Sequence, residues 1–354
     1  MSASRAPTVG CAPGNTASIA TALMMSHHGF RRDLSGALDE RARAGKTRPM
    51  KFDRDDRADG SQVEDRRAGG FPGGPAGVGG GLGLVGLLVV VGLKLLAGDK
   101  QGAVKTILDN GTPPAGGEVP QGPPPAPNAA LSGSCEGVNS ESDPAKFIVC
   151  VETNVQSFWS GALSQRMGAP YRPAKLVLFR AQTASGCGPA DASTGPFYCP
   201  PDEKVYLDLG FFQELHTRFH ARGGDFAEAY VVAHEYGHHV QKILGTEARV
   251  HEGMRDPSAR SALSVALELQ ADCYAGVWGH FAYEKGKVAQ SEIADALDAA
   301  AAVGDDRIQK EVRGRVTPET FTHGSAAARQ KWLGAGMSSG DPRTCDTFAA
   351  GARR

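Results

Sequence analysis

The chain has 354 residues, of which 41% are hydrophobic and 22% are charged, enough for one sizeable catalytic domain with appendages or for two small domains. Its 38 Lys and Arg residues nearly balance 39 Asp and Glu residues, and the net charge is -1. Because no overall field attracts nucleic acid or anionic lipid, this balance argues against a nucleic-acid-binding protein.

Residues 1–67 carry many charges of both signs, few large apolar residues and no sustained periodicity. A segment of this kind buries too little surface to offset the entropy lost on ordering, so we expect it to be disordered. Met50 lies within it and is a second possible start of the chain. In that case residues 1–49 would be an upstream extension with little bearing on function.

Leu, Val and Gly dominate residues 78–96, and no charged residue occurs between Ala68 and Leu93. A helix over 78–96 would be about 28 Å long, close to the roughly 30 Å hydrocarbon core of a bilayer. We therefore predict one uncleaved transmembrane helix there. More basic residues precede it than directly follow it, which favours a single-pass protein of the cell membrane with a cytoplasmic N-terminus and an extracytoplasmic C-terminal domain.

The segment 97–130 is rich in Gly and Pro, which predicts an extended linker. The remaining domain spans residues 131–348, and its strands are predicted at 175–181 and 204–209. A few strands come before a run of helices, so the predicted fold class is α+β, mostly helical with a small sheet. Helical periodicity predicts helices at 144–163, 211–222, 225–244, 258–283, 291–303 and 325–337.

Six of the seven cysteines lie in this domain. An even number in a domain outside the cytoplasm predicts up to three disulfides. Cys187 and Cys199 are the best candidate pair because they are close in sequence. The other pairings stay open, and Cys273 is alternatively a buried free thiol on a helix.

The predicted helix 225–244 contains the pattern H-E-x-x-H, formed by His234, Glu235 and His238. Residues four apart lie one turn above each other on a helix, so both imidazoles can reach the same zinc ion. Glu235 is adjacent to the pair, where its carboxylate can act as the general base of a metallohydrolase. Gly237 costs about 1 kcal/mol in a helix interior, which indicates that another element packs closely there.

A catalytic zinc site needs a third protein ligand and an open position for water. Gln241 and Leu244 stand where a metzincin would have Gly and His, which excludes that class. Glu268 and Asp272 are four residues apart on the next predicted helix, in apolar surroundings where an unpaired carboxylate would be costly. We predict that Glu268 is the third ligand and that Asp272 orients a ligand histidine. Alternative third ligands in the intervening segment, predicted as a loop, are Glu247, His251 and Glu252.

Several motifs together resemble the bacterial neutral zinc metallopeptidases of the YpfJ type, a zincin-like group. They are VVAHEYGHHVQ, LELQADCYAGVW and FTHGSAAARQKWL, together with VEDRR, KVYLDLGFF and the apolar segment. The resemblance extends over about residues 50–348. It implies a zinc peptidase domain of zincin-like fold, anchored in the cell envelope, and it carries over no defined natural substrate.

Two further histidines, His323 and His239, lie within these motifs. His323 precedes the last predicted helix, and gluzincin-like peptidases use a downstream histidine to stabilise the oxyanion. The resemblance therefore suggests this catalytic role for His323, with a surface or helix-capping histidine as the alternative. His239 is rotated about 100° from His238 on the helix and is not expected to be a ligand.

The resulting hypothesis is a membrane-anchored zinc peptidase that hydrolyses peptide or protein substrates with a metal-activated water. The strand at 204–209 is a candidate edge for pairing with an extended substrate. Two other functions stay open, an inactive envelope scaffold with structural zinc and a signalling or partner-binding module. Structural zinc sites are usually closed by four Cys or His ligands, which disfavours the scaffold.

Overall fold

A computed structural model describes residues 49–67 and 128–349 of the chain. The expectations for residues 1–48, for the span at 78–96 and for most of the linker at 97–130 lie outside the described residues. Every helix within the described residues is too short or too polar to cross a lipid bilayer. The description therefore concerns the C-terminal domain and the segment 49–67.

Helices make up most of the domain, as predicted. Local signals set their ends: the Asp143 side chain accepts a hydrogen bond from the Lys146 amide at the start of the first helix, and Ser325 caps the last one in the same way. The helices are α1 (Pro144–Ala162), α2 (Gly210–Thr217), α3 (Asp225–Ile243), α4 (Thr246–Gly253), α5 (Arg260–Glu284), α6 (Gln290–Ala302), α7 (Asp305–Arg313) and α8 (Ala326–Ser339).

The strands are short, and four of them form one sheet in the order β2-β4-β8-β7. They are β1 (Arg57–Ala58), β2 (Val63–Asp65), β3 (Gly133–Ser134), β4 (Lys175–Phe179), β5 (Gln182–Ser185), β6 (Gly188–Asp191), β7 (Phe197–Cys199) and β8 (Lys204–Asp208). Strand β4 is parallel to both β2 and β8, whereas β7 is antiparallel to β8. Strands and helices in these proportions confirm the α+β class.

Strand β8 is an interior strand of the sheet, so the prediction that it offers an edge to substrate was wrong. It pairs with β4 on one side and with β7 on the other. Its buried residues, such as Val205 and Leu207, gave a clear strand signal but no information on sheet order. Strand β7 is the edge on this side of the sheet.

The segment 49–67 is ordered against the domain, so the prediction of disorder was wrong for these residues. Strand β2 pairs with β4, and Met50 is buried, with its amide donating to Asp225 Oδ2 at 3.1 Å. Glu64 accepts from Lys204 Nζ at 2.6 Å and from Arg66 Nη2 at 2.6 Å. Some of the charges that suggested a solvated segment, such as Glu64, are thus paired with residues far along the chain, which composition does not reveal.

The packing of residues 49–67 also constrains the predicted membrane topology. These residues share a sheet with β4 and β8 of the domain, so within one chain both parts lie on the same side of any membrane. One crossing between residues 67 and 128 would separate them. A cytoplasmic position for residues 49–67 with an extracytoplasmic domain is therefore incompatible with these contacts.

Helices α3 and α5 cross closely where the sequence predicted tight packing. A Cβ placed on Gly237 would lie 3.0 Å from the Ala271 carbonyl oxygen and 3.1 Å from its Cα. A side chain at this position would require the backbone of α5 to move away by a few tenths of an ångström. The crossing brings His234 and His238 of α3 next to the part of α5 that carries Glu268.

Three disulfides are present in the described residues. The predicted pair Cys187–Cys199 is formed, and Cys135 is bonded to Cys150. Cys273 is bonded to Cys345, so the free-thiol alternative for Cys273 was wrong. This third bond joins α5, directly after Asp272, to the C-terminal segment.

Candidate metal centre

His234, His238 and Glu268 lie together between α3 and α5, as the sequence predicted. One ligand atom from each of them lies within 4.8 Å of the other two. Glu268 Oε2 is 3.2 Å from His234 Nε2, and its Oε1 is 3.6 Å from His238 Nε2. The two Nε2 atoms and one carboxylate therefore face a common point.

Asp272 fixes the orientation of His234. The Nδ1–H of His234 donates to Asp272 Oδ1 at 2.8 Å, which leaves Nε2 directed at Glu268. Burial alone would lower the pKa of His234, but the neighbouring Asp272 and Glu268 carboxylates outweigh it and raise the pKa to about 10. The site thus favours a positive charge between the two carboxylates.

Gln241 orients His238 in the same way, and the sequence analysis missed this role. The Nδ1–H of His238 donates to Gln241 Oε1 at 2.9 Å. The Gln241 amide is itself held, because its Nε2 donates to the Leu267 carbonyl at 2.7 Å and to Gln270 Oε1 at 3.2 Å. The sequence signal was available, since Gln241 is three residues after His238 on the same helix face.

Asp272 is itself held by two residues that the sequence analysis did not assign to the site. Arg329 of α8 donates from Nε to Oδ2 at 2.8 Å and from Nη2 to Oδ1 at 2.9 Å, and Tyr230 donates to Oδ1 at 2.6 Å. Burial would raise the pKa of Asp272, but Arg329 and His234 lower it to about 2. Asp272 is therefore ionised although it is fully buried.

Glu235 is buried beside the two histidines. Burial raises the pKa of its carboxyl, while His234 and His238 act in the opposite direction. The carboxylate also accepts a hydrogen bond from the backbone of Tyr198 in strand β7. The edge of the sheet thus lies directly against the candidate base.

His323 lies at the pocket beside the centre, where His238 and Glu268 also contribute to the wall. Asp305 positions it: one carboxylate oxygen accepts from the His323 amide at 2.6 Å and from the Gly324 amide at 2.9 Å, and the other is 3.3 Å from His323 Nδ1. Burial lowers the pKa of His323, but the hydrogen bond to Asp305 together with the negative charges of Glu268 and Asp305 outweighs it and raises the pKa. Asp305 was not predicted.

The alternative third ligands lie on α4, which the sequence analysis had taken as a loop. Glu247 and His251 line the pocket but are outside the group of converging ligand atoms, and the Glu252 side chain is 65% exposed. His239 points away from the centre, as predicted, because its Nε2–H donates to the Arg172 carbonyl at 2.6 Å. The structure therefore brings Glu268, and none of the alternatives, to the two histidines.

The donor set of this centre fits zinc. Two imidazole nitrogens and one carboxylate, with a pocket alongside, are the ligands of a catalytic site that keeps a position open. Each histidine donates its other ring N–H to an oxygen, which is the usual arrangement around a zinc-bound imidazole. The residues present can therefore hold the ion that the motif suggested.

Comparison with known proteins identifies a matching family and several similar bacterial proteins. The family described as putative neutral zinc metallopeptidase matches residues 50–348. The uncharacterized protein YpfJ of Escherichia coli K12 is 44% identical over 211 residues, which cover 59% of this chain and 73% of that protein. The uncharacterized protein Rv2575 of Mycobacterium tuberculosis is 45% identical over 235 residues, covering 64% and 78%. No solved structure matches the chain. From the match over residues 50–348, the chain belongs to the putative neutral zinc metallopeptidase family.

Proposed function

We propose that this protein is a zinc-dependent peptidase. The observation that carries the proposal is the convergence of His234, His238 and Glu268 with Glu235 beside them. A structural zinc site would have no use for an acid next to a position that protein ligands leave open. The family description points to the same activity.

Each residue of the site has a separate role in the proposed reaction. Zinc held by the three ligands supplies a Lewis acid that polarises a carbonyl and lowers the pKa of water. Glu235 accepts the proton of the attacking water and donates it to the leaving amine. His323, held by Asp305, stabilises the negative charge that develops on the carbonyl oxygen.

Strand β7 is the proposed place for the substrate backbone. It is an edge strand, and Tyr198 within it lines the pocket beside His238 and Glu268. An extended peptide can add to such an edge by main-chain hydrogen bonds. This replaces β8, whose two edges are already paired.

The test is cleavage of a proteome-derived peptide library by the full zinc-loaded chain, read by mass spectrometry. A shorter fragment that begins after residue 128 would lack β2, which belongs to the central sheet. We expect Glu235→Gln to lose at least about a thousandfold in turnover while zinc content is unchanged. The matched control is Glu252→Gln, which changes an exposed acid on α4 and should cleave like the parent.

Equal cleavage by the Glu235→Gln variant would contradict the assignment of the base. Absence of cleavage by the parent protein, with one zinc bound, would instead favour the envelope scaffold.

We further propose that the domain is extracytoplasmic and that residues 78–96 attach it to the cell membrane without a net crossing between residues 67 and 128. Three disulfides favour an oxidising compartment. Since residues 49–67 pack on the domain, both parts should be on that side. Asp55→Cys and Glu141→Cys, each in a Cys11→Ser background, should both react with a membrane-impermeant maleimide on intact spheroplasts. Labelling at residue 141 alone would contradict this arrangement.

A further inference from the structure

The pocket beside the metal centre has a carboxylate, accompanied by His251, next to an apolar part of its wall. It extends from His238 and Glu268 to Glu247 of α4. Near Glu247 the wall is formed by Val250, Met254 and Leu267, which pack together as a small buried cluster. A side chain entering the pocket would therefore pass apolar groups and meet a carboxylate.

Glu247 is only 7% exposed, and its Oε2 has no hydrogen-bond partner among the described residues. An unpaired buried acceptor costs free energy, more so when it is charged. The two nearest basic side chains do not donate a hydrogen bond to this oxygen. Lys242 Nζ is 3.8 Å from Oε2, beyond hydrogen-bond distance, and His251 Nδ1 is 3.4 Å from Oε1.

Lys242 is the main competitor for this carboxylate, and it can yield to a ligand. Its side chain is 36% exposed, so the ammonium group can turn into solvent at little cost. The other titratable groups lining the pocket are Tyr198, His251, His238, Glu268 and His323, and the last three lie at its metal end. Oε2 itself is almost inaccessible to solvent, so a ligand ammonium or guanidinium group would supply the N–H donor that Oε2 lacks once the Lys242 and Glu247 side chains turn.

From these contacts we propose that the pocket selects a substrate residue with a basic side chain, lysine or arginine, through Glu247. The inference rests on the proposed peptidase function, because it treats the pocket as the site of a side chain next to the cleaved bond. The aliphatic part of lysine or arginine contacts Val250, Met254 and Leu267. The terminal cation pairs with Glu247 Oε2, a charge-assisted contact.

The experiment compares peptides that differ at a single position flanking the bond identified by the library. Lysine, arginine, norleucine and glutamate are placed there, because norleucine keeps the aliphatic chain of lysine without its charge. We expect kcat/KM for the lysine peptide to exceed that for norleucine by about tenfold or more. In Glu247→Gln this ratio should fall to near one, in Glu247→Lys glutamate should become preferred, and in Glu252→Gln the ratio should not change.

Binding separates failure of this inference from failure of the proposed function. The same peptides are titrated into the zinc-loaded Glu235→Gln protein, with and without Glu247→Gln, by fluorescence anisotropy. Preferential binding of the lysine peptide that disappears in the Glu247→Gln protein would support the pocket even if the parent hydrolyses nothing. Equal binding of lysine and norleucine peptides, or hydrolysis whose preference survives Glu247→Gln, would overturn the inference and leave the peptidase assignment untouched.

Discussion

Helix α3 separates two buried acidic groups that behave in opposite ways. On one side, Asp272 is surrounded by Arg329, His234 and Tyr230, and its pKa is lowered to about 2. On the other side, Glu152 of α1 is equally buried, but burial raises its pKa to about 8. The difference shows that burial alone does not create an ionised site. The charge of the partners decides the protonation state.

The partners of Glu152 are all neutral. It accepts a hydrogen bond from Gln156 Nε2, and Thr153 donates to its Oε2 at 3.0 Å. Tyr236, on the same helix as the zinc motif, donates to Oε1 at 3.4 Å. All three groups donate to Glu152 and so favour its ionised form, but none of them carries a positive charge, and burial outweighs them.

The largest expected effect comes from removing the cation that keeps Asp272 ionised. Arg329→Met leaves a buried carboxylate with only His234 and Tyr230, and we expect the free energy of unfolding to fall by about 3–5 kcal/mol. Zinc affinity should fall by about 10–100-fold, because His234 loses its fixed orientation. Urea unfolding and zinc competition against a chelator measure the two effects.

A surface pair supplies the control for that variant. Arg343 donates to both oxygens of Asp341, but its side chain is 68% exposed. Arg343→Met should therefore leave stability and zinc affinity unchanged, since exposed ion pairs contribute little. The double variant Arg329→Met, Asp272→Asn should lose less free energy of unfolding than the sum of the losses in the two single variants. Additive losses would show that Asp272 does not depend on Arg329.

The zinc motif was predictable because its information is local. His234, Glu235 and His238 are within about one turn of α3. Glu268 and Asp272 are likewise about one turn apart on the next long helix, α5. Arg329 was not predictable, because its partner is 57 residues away and no periodicity links them. Strand β2 was missed for a similar reason: its Glu64 pairs with Lys204 of β8, 140 positions later.

The second effect concerns Glu152 and the dependence of stability on pH. The folded-state pKa of Glu152, about 8, exceeds the ordinary value of 4.5. Its contribution to stability is therefore complete below about pH 4.5 and is lost as pH rises through 8. Glu152→Gln removes this titration, so the fall in unfolding free energy between pH 5 and pH 8 should shrink by about 3 kcal/mol.

Urea unfolding at several pH values measures this change. Glu228 and Glu292, whose pKa values burial also raises to about 8, remain in both proteins, so part of the pH dependence should persist. Glu141→Gln, at an exposed position, is the matched control and should reproduce the parent curve. A parent curve that does not decline towards pH 8 would contradict a protonated Glu152.

The smallest expected effect tests the neutral partner within the metal centre. Gln241 holds His238 by a neutral amide, whereas Asp272 holds His234 by a charge. Gln241→Ala should therefore weaken zinc binding by about tenfold, near the lower end of the range for an outer-shell partner. Stability without zinc should change less than in Arg329→Met, because no buried charge loses its partner. The contrary result is a Gln241→Ala variant that loses as much zinc affinity as Arg329→Met does. In that case the orientation of the two histidines, and not the charge of their partners, would determine zinc affinity. The contrast between charged and neutral partners would then apply to stability but not to metal binding.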